Sequence, residues 1–279
     1  MVPLKTWGQI KKRALVLLAA LACYAPLALV AQEADKLIDE VLVGGHRSDA
    51  NKARDKYRHP KETLLFFGLR PDMTVVEIAP GRGWYTEILG PVLKARGQYY
   101  AVVSAVTEKT SDAVKKNDAD YRGMLAAAPA LYGNVKLSII SPASMKISPP
   151  GTADLLLTFR NVHNWAKAGT ADAMFSAFYE ALKSGGTLGV VEHRARPDTP
   201  FQQQVDTGYM AEAYVTETAV KAGFRFVNKS EINANPKDTK DHAGGVWSLP
   251  PTLRFGDQDR DKYLGIGESD RMTLKFVKP

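Results

Sequence analysis

Met73-Thr74-Val75-Val76-Glu77-Ile78-Ala79-Pro80-Gly81-Arg82-Gly83-Trp84-Tyr85-Thr86-Glu87 sets the reading of this chain. Thr74 to Ala79 is apolar and β-branched apart from Glu77, the composition of a buried parallel strand. Pro80-Gly81-Arg82-Gly83 ends that strand, and Trp84 to Leu93 has helical spacing. Glycines in a strand-to-helix turn remove Cβ atoms, so backbone can approach a ligand closely. The following helix N-terminus offers free N–H groups and partial positive charge. Glu77, just before the turn, is placed to fix it or to accept hydrogen bonds from a bound amine. Taken alone, such a turn also suits any other doubly wound protein.

The chain on either side alternates strand and helix. Residues 97–104 read as a second strand, 111–128 as a charged amphipathic helix, 135–140 as a third strand and 153–159 as a central fourth. A helix over 170–182 ends in Lys183-Ser184-Gly185-Gly186, and a fifth strand runs over 187–192. Residues 205–222 read as one helix, 224–232 as strand six and 271–277 as a last, alternating strand. Strand and helix in turn specify a doubly wound, mostly parallel sheet.

The Glu77–Gly83 stretch resembles motif I of the class I S-adenosylmethionine-dependent methyltransferases, an acidic residue followed by glycines at alternate positions. Glu77, Gly81 and Gly83 match, and Ala79 replaces the first glycine. Ala181 to Val191, with its Gly-Gly turn, resembles the helix, turn and fifth strand of the same superfamily. The resemblance covers roughly residues 57–279 and looks closest to a group of exported bacterial proteins. It implies a seven-stranded Rossmann-like sheet with an antiparallel last strand and S-adenosylmethionine as cofactor. It also implies cofactor contacts at Glu77, Ala79, Pro80, Gly81, Gly83, Ser104 and Asn161. Two departures stand out. Methyltransferases usually carry an acid at the end of the second strand for the ribose hydroxyls, and here Val103 and Ser104 stand there. The acid often found after the third strand is also missing.

At the N-terminus, Lys5, Lys11, Lys12 and Arg13 precede an apolar run from Ala14 to Ala31. That pattern reads as a secretory signal peptide cleaved after Ala31, or as an uncleaved anchor. The expectation is a periplasmic or secreted protein without stable membrane insertion after cleavage. Its divisions are residues 1–31 as leader, 32–72 as a helical segment and 73–279 as the methyltransferase-like domain, with an insert at 233–270. Loss of the leader takes the net charge from +7 to +3 and removes Cys23, the only cysteine. So mild a basic balance calls for no nucleic-acid partner. Without cysteine there is no thiol catalysis, disulfide or cysteine-ligated metal.

Residues 46–59 are polar and charge-rich. The plain reading is a solvated connector; the resemblance implies that Tyr57, Arg58 and His59 fold over the cofactor. Ligands of an open parallel sheet sit beyond the carboxyl ends of its strands. Arg160, Asn161, His163, Glu192, His193 and Arg194 follow buried strands there. His163, His193 and Glu192 are the candidate catalytic residues, a histidine acting as general base near neutral pH. Trp84, Tyr85 and Trp165 can pack on adenine or face a sulfonium. No His/Asp/Glu spacing suggests a metal site, and neither Ser104 nor Ser184 sits in a nucleophile elbow.

The insert is about 38 residues, far past the usual few-residue connection. Strand six ends, and an antiparallel last strand begins, on the ligand side of the sheet. The insert is therefore expected to cover the pocket, with His242 or Trp247 reaching in and Gly244-Gly245 as hinge. Two functions from different classes are consistent with all this: a methyltransferase acting on a small molecule, and a non-catalytic binding or scaffold protein of the same fold. A nicotinamide enzyme is a weaker third, since it too needs the acid missing at the second strand.

Overall fold

The structure, a computed structural model, describes residues 32–279. The expected leader lies outside the described residues. No helix among the described residues is long and apolar enough to cross a membrane.

Seven strands form one sheet in the order β3-β2-β1-β4-β5-β7-β6. They are β1 (Thr74–Ile78), β2 (Gln98–Ser104), β3 (Val135–Ile140), β4 (Ala153–Phe159), β5 (Leu182–His193), β6 (Arg225–Ser230) and β7 (Arg271–Val277). β1 through β5 pair parallel, and β7 runs antiparallel to both neighbours. This is the doubly wound sheet expected from the sequence.

Alternation along the central strands sends successive side chains to opposite faces. Val76, Ile78 and Leu156 pack on one face with Phe175 and Phe178 of α9 (Ala171–Ala181) and Val215 of α11 (Glu212–Lys221). Val75, Leu155 and Leu157 pack on the other with Ile38 of α1 (32–42), Leu64 and Phe67 of α4 (Pro60–Phe67) and Ile88 of α5 (Thr86–Leu93). β1 and β4 are thus buried from both sides, as parallel strands require.

Three local expectations change. The polar segment at 46–59 folds into two single-turn helices, α2 (Asp49–Lys52) and α3 (Asp55–Arg58). The helix expected over 205–222 is broken: α10 (Phe201–Thr207) ends at Gly208, whose φ is +79°. Met210 then runs extended beside β5, giving its N–H to His193 O and accepting from Ala195 N. A continuous helix would leave His193 O and Ala195 N without these partners. The Lys183–Gly186 turn lies inside β5 as a shift of register against β4, with Gly185 at φ +78°. Smaller elements are α6 (Asp112–Ala127), α7 (Pro129–Tyr132) and α8 (Val162–Lys167). The insert contributes a 3-10 turn over Gly245–Ser248 and α12 (Arg260–Ile266).

Candidate functional site

A cavity of about 630 Å³ opens at the carboxyl ends of β1, β4 and β5. Its floor is the Ala79–Arg82 turn, one wall comes from α2 and α3, and the roof comes from Val246, Trp247 and Pro250–Thr252 of the insert. The insert lies where the strand directions require.

The motif I turn is built for close approach. Ala79 continues β1 by giving its N–H to Val102 O at 2.9 Å, and its φ is +52°. That left-handed geometry favours the glycine that motif I usually has at this position. Gly81, at φ +60°, lines the cavity and, its chain neighbours aside, has no atom within 4 Å of where a Cβ would stand. Gly83, also left-handed, faces away from the cavity: a Cβ there would lie 2.6 Å from Met124 Cε of α6. Its missing side chain serves packing, so a bulky residue at 83 disturbs the fold before any ligand.

Glu77 is buried in the cavity wall. Its Oε2 accepts from the Tyr99 hydroxyl and, at 3.4 Å, from Thr86 Oγ1. Oε1 makes no hydrogen bond among the described residues and remains for a ligand donor. Burial pushes the Glu77 carboxyl up to about 7, partly offset by Tyr99, Thr86 and the charge of Arg58. Asn161 gives its amide hydrogens to Ile78 O and Thr158 Oγ1, both at 3.1 Å, tying the ends of β1 and β4 together. Tyr85 stacks on Phe159, centroids 3.6 Å apart. Trp84 donates its indole N–H to Asn51 O and lies 4.6 Å beneath the Arg58 guanidinium.

His163 and His193 both line the cavity, ring centroids 5.4 Å apart. Glu192 stands behind them, fully buried. Its Oε2 accepts from Val162 N and His163 N; its Oε1 accepts from His193 N at 2.8 Å and His163 Nδ1 at 3.0 Å. The carboxylate therefore fixes the proton of His163 on Nδ1 and leaves Nε2 as the basic nitrogen. Burial, then the charges of His163, Arg160, Arg271 and Arg58, push His193 well below the ordinary histidine value, so its ring stays neutral. His163, Glu192 and His193 offer ligand atoms within 4.8 Å of one another, a spacing sequence reasoning did not reveal. Four N–H groups already occupy the oxygens of Glu192, so that carboxylate acts as scaffold.

Other expected residues fall elsewhere. Ser104 is exposed at the end of β2, and neither it nor Val103 lines the cavity. Trp165 turns inward onto Phe178. Arg194 braces the sheet edge through Asp270, Glu212 and Glu231. Trp247 reaches His163, centroids 5.9 Å apart, but His242 is buried with its Nε2 on Asp238 Oδ1 at 2.9 Å. Gly245 is packed closely against α10: a Cβ there would meet Thr207 O at 2.2 Å.

Arg54, Glu268 and Ser269 line the cavity without having been singled out from sequence, and Arg58 belongs to its wall rather than to a solvated connector. The available clue was the spacing of Arg54 and Arg58, four residues apart and so on one helical face.

No family profile matches the chain, and no curated protein matches it in sequence. Solved structures of similar shape exist. An S-adenosylmethionine-dependent methyltransferase from Aquifex aeolicus superposes with a TM-score of 0.53 at 16% identity, covering 81% of this chain and 93% of its own. Geranyl diphosphate C-methyltransferase from Streptomyces coelicolor, solved with Mg2+, geranyl diphosphate and S-adenosylhomocysteine, gives 0.54 at 13%, covering 86% and 87%. The [4+2]-cyclase SpnF gives 0.56 at 15%, covering 85% of each chain. At such identities what is shared is the fold: this chain has the same seven-stranded, Rossmann-like architecture as these structures.

Proposed function

We propose that the protein is an S-adenosylmethionine-dependent methyltransferase acting on a small molecule. The observation that carries the reading is Gly81, open to a cavity that is also lined by His163, whose Nδ1 rests on the buried Glu192 behind it. The residues present fit the aminoacyl half of the cofactor. Backbone at Ala79–Gly81 allows close approach, and Glu77 Oε1 is free to accept from its amine. When bound, the cofactor supplies an electrophilic methyl group on a sulfonium. The chain's own part is then alignment, exclusion of water and proton removal. Stacked Tyr85 and Phe159 and the insert's Trp247 shield the cavity, and His163 Nε2 accepts the proton of an acceptor O–H or N–H. Glu192 stabilises the resulting imidazolium through Nδ1.

The test is calorimetry of the purified protein with S-adenosylmethionine and S-adenosylhomocysteine. Both are expected to bind, and Gly81→Val to weaken both more than about tenfold by filling the approach face. No binding to the native protein overturns the reading. Export belongs to the same proposal, supported by the charge asymmetry around residues 14–31. The mass of the protein from an exporting host is expected to correspond to a chain starting at Gln32, and an intact leader on soluble cytoplasmic protein counts against it.

One observation favours a second reading, a binding protein or a different chemistry on the same fold. The end of β2 carries Val103 and Ser104, outside the cavity, where a ribose-binding acid is expected. Binding of S-adenosylhomocysteine without methyl transfer to any acceptor would favour it.

A further inference from the structure

Four arginines crowd one carboxylate beside the cavity. Glu268 accepts from Arg54 Nε at 2.7 Å, Arg58 Nε at 3.1 Å and Arg271 Nη1 at 3.1 Å. Arg160 follows β4 in a left-handed conformation, φ +63°, with its N–H on Val191 O. Its guanidinium makes no hydrogen bond or ion pair among the described residues, yet it lines the cavity. Nη2 of Arg54 and Nη2 of Arg58 are buried and donate to nothing. Arg58 itself is 3% exposed. Glu77 is the other acid in the wall, and even when ionised it leaves four cations against two anions.

Buried charge without a partner is expensive, and buried donors are normally satisfied. Arginines that leave donors idle along a cavity wall match the fork geometry of a carboxylate or phosphate. Burial, then the nearby charge of Arg160, lowers the Arg58 guanidinium to about 9. Burial likewise lowers Arg160 and Arg271, against the pull of Glu268. All three shifts run the same way, with burial leading and Glu268 offsetting it only in part.

We propose that Arg54, Arg58 and Arg160 form an anion subsite that takes a carboxylate or phosphate group of a ligand in this cavity. The anion deepens the methyltransferase reading and, within it, has two possible sources: the amino-acid carboxylate of the cofactor, or an acidic group on the acceptor. Glu268 holds Arg54 and Arg58 in place by their Nε atoms, and their Nη1 atoms, which are not enclosed and have no partner among the described residues, are left for the ligand. Arg160 approaches from the end of β4 with its whole guanidinium uncommitted.

Inorganic phosphate is the probe, titrated calorimetrically into the full chain at constant ionic strength, with and without saturating S-adenosylhomocysteine. Phosphate is expected to bind the native protein, Arg160→Gln to weaken it at least about tenfold, and Arg160→Lys to weaken it less. Arg160 has no protein partner to lose, so the substitution leaves no carboxylate unpaired; Arg54→Gln serves as second variant, and melting curves confirm folding of each. Competition between phosphate and S-adenosylhomocysteine assigns the subsite to the cofactor's carboxylate, and simultaneous binding assigns it to the acceptor. Phosphate binding lost in Arg160→Gln, in a protein that ignores S-adenosylhomocysteine, keeps the subsite and discards the methyltransferase reading. Phosphate that does not bind, or binds Arg160→Gln and Arg54→Gln as well as the native protein, overturns the subsite.

Discussion

Glu77 sits where two demands conflict. A buried strand end excludes water, while a ligand amine needs an ionised carboxylate. Because burial raises its folded value to about 7 from an ordinary 4.5, the folded state keeps the proton that the unfolded chain releases. Stability on this account is greatest below about 4.5 and falls as pH rises through about 7, by at most about 3 kcal/mol. Glu77→Gln is expected to flatten that slope and to raise the melting temperature at pH 8. Melting curves of both proteins between pH 5 and 8 check this; equal slopes would show that another group titrates. Ala79 tells a related story, since a residue with a Cβ occupies a left-handed position that costs about 1 kcal/mol relative to glycine.

At the scale of elements, the insert is tied to the body of the protein by Asn233 on Thr63 and Thr273, by Asp238 under Tyr209 and by Glu268 under Arg54 and Arg58. Asp238 accepts from the Tyr209 hydroxyl, from Asp270 N and from His242, all buried. Removing the insert would orphan Tyr209, so a point substitution tests its role better than deletion. Trp247 lies between His163 and the Arg254 guanidinium, which is 4.7 Å from its ring. Trp247→Ala is expected to lower acceptor turnover by about tenfold or more while S-adenosylhomocysteine affinity changes by no more than about twofold. Steady-state kinetics beside calorimetry separate the two. An equal fall in both would place Trp247 in the cofactor's half of the cavity. The broken helix at 201–221 belongs to this scale as well: Val205 and Val215 fit one helical pattern, and only the unpaired edge of β5 beyond His193 calls Met210 out of it.

Across the whole molecule, Glu268 joins segments more than two hundred residues apart, with Arg54 and Arg58 before the sheet and Arg271 in its last-paired strand. Burial opposes its charge, but Arg58, Arg271, Arg54 and Arg160 hold the carboxyl down at about 2. A depressed acid contributes stability that is present above about 4.5 and is lost as pH falls toward 2. Its sign is opposite to that of Glu77, so the pH–stability curve should turn over in the acid range. Glu268→Gln is expected to cost about 3–5 kcal/mol at pH 7, because the buried guanidinium groups of Arg58 and Arg271 and the half-buried one of Arg54 lose their counter-ion. Chemical denaturation of both proteins at pH 7 measures it. A change under about 1 kcal/mol would mean that the arginines reorganise without Glu268.

The sequence by itself determined the sheet. Thr74–Ile78, Val135–Ile140, Ala153–Phe159 and Arg271–Val277 are strands because their apolar patterns admit one period and are bounded by turn residues. Glu77, Gly81, Asn161, His163 and His193 were legible as residues lining the cavity because ligands of such a sheet gather at strand ends, which follow directly from the strands. Tertiary structure decided the rest. Glu192 belongs behind His163 rather than beside a ligand, since its depth depends on the four N–H groups around it. Gly83 and Gly81 look alike in sequence and differ only in that Met124 of a distant helix stands over one of them. The arginine cluster was the least legible feature. Arg54, Arg58, Arg160 and Arg271 come from three separate parts of the chain, and a run of charged residues reads as solvated until folding takes the water away. Local pattern is set by neighbours in sequence, whereas burial and charge pairing are set by neighbours in space.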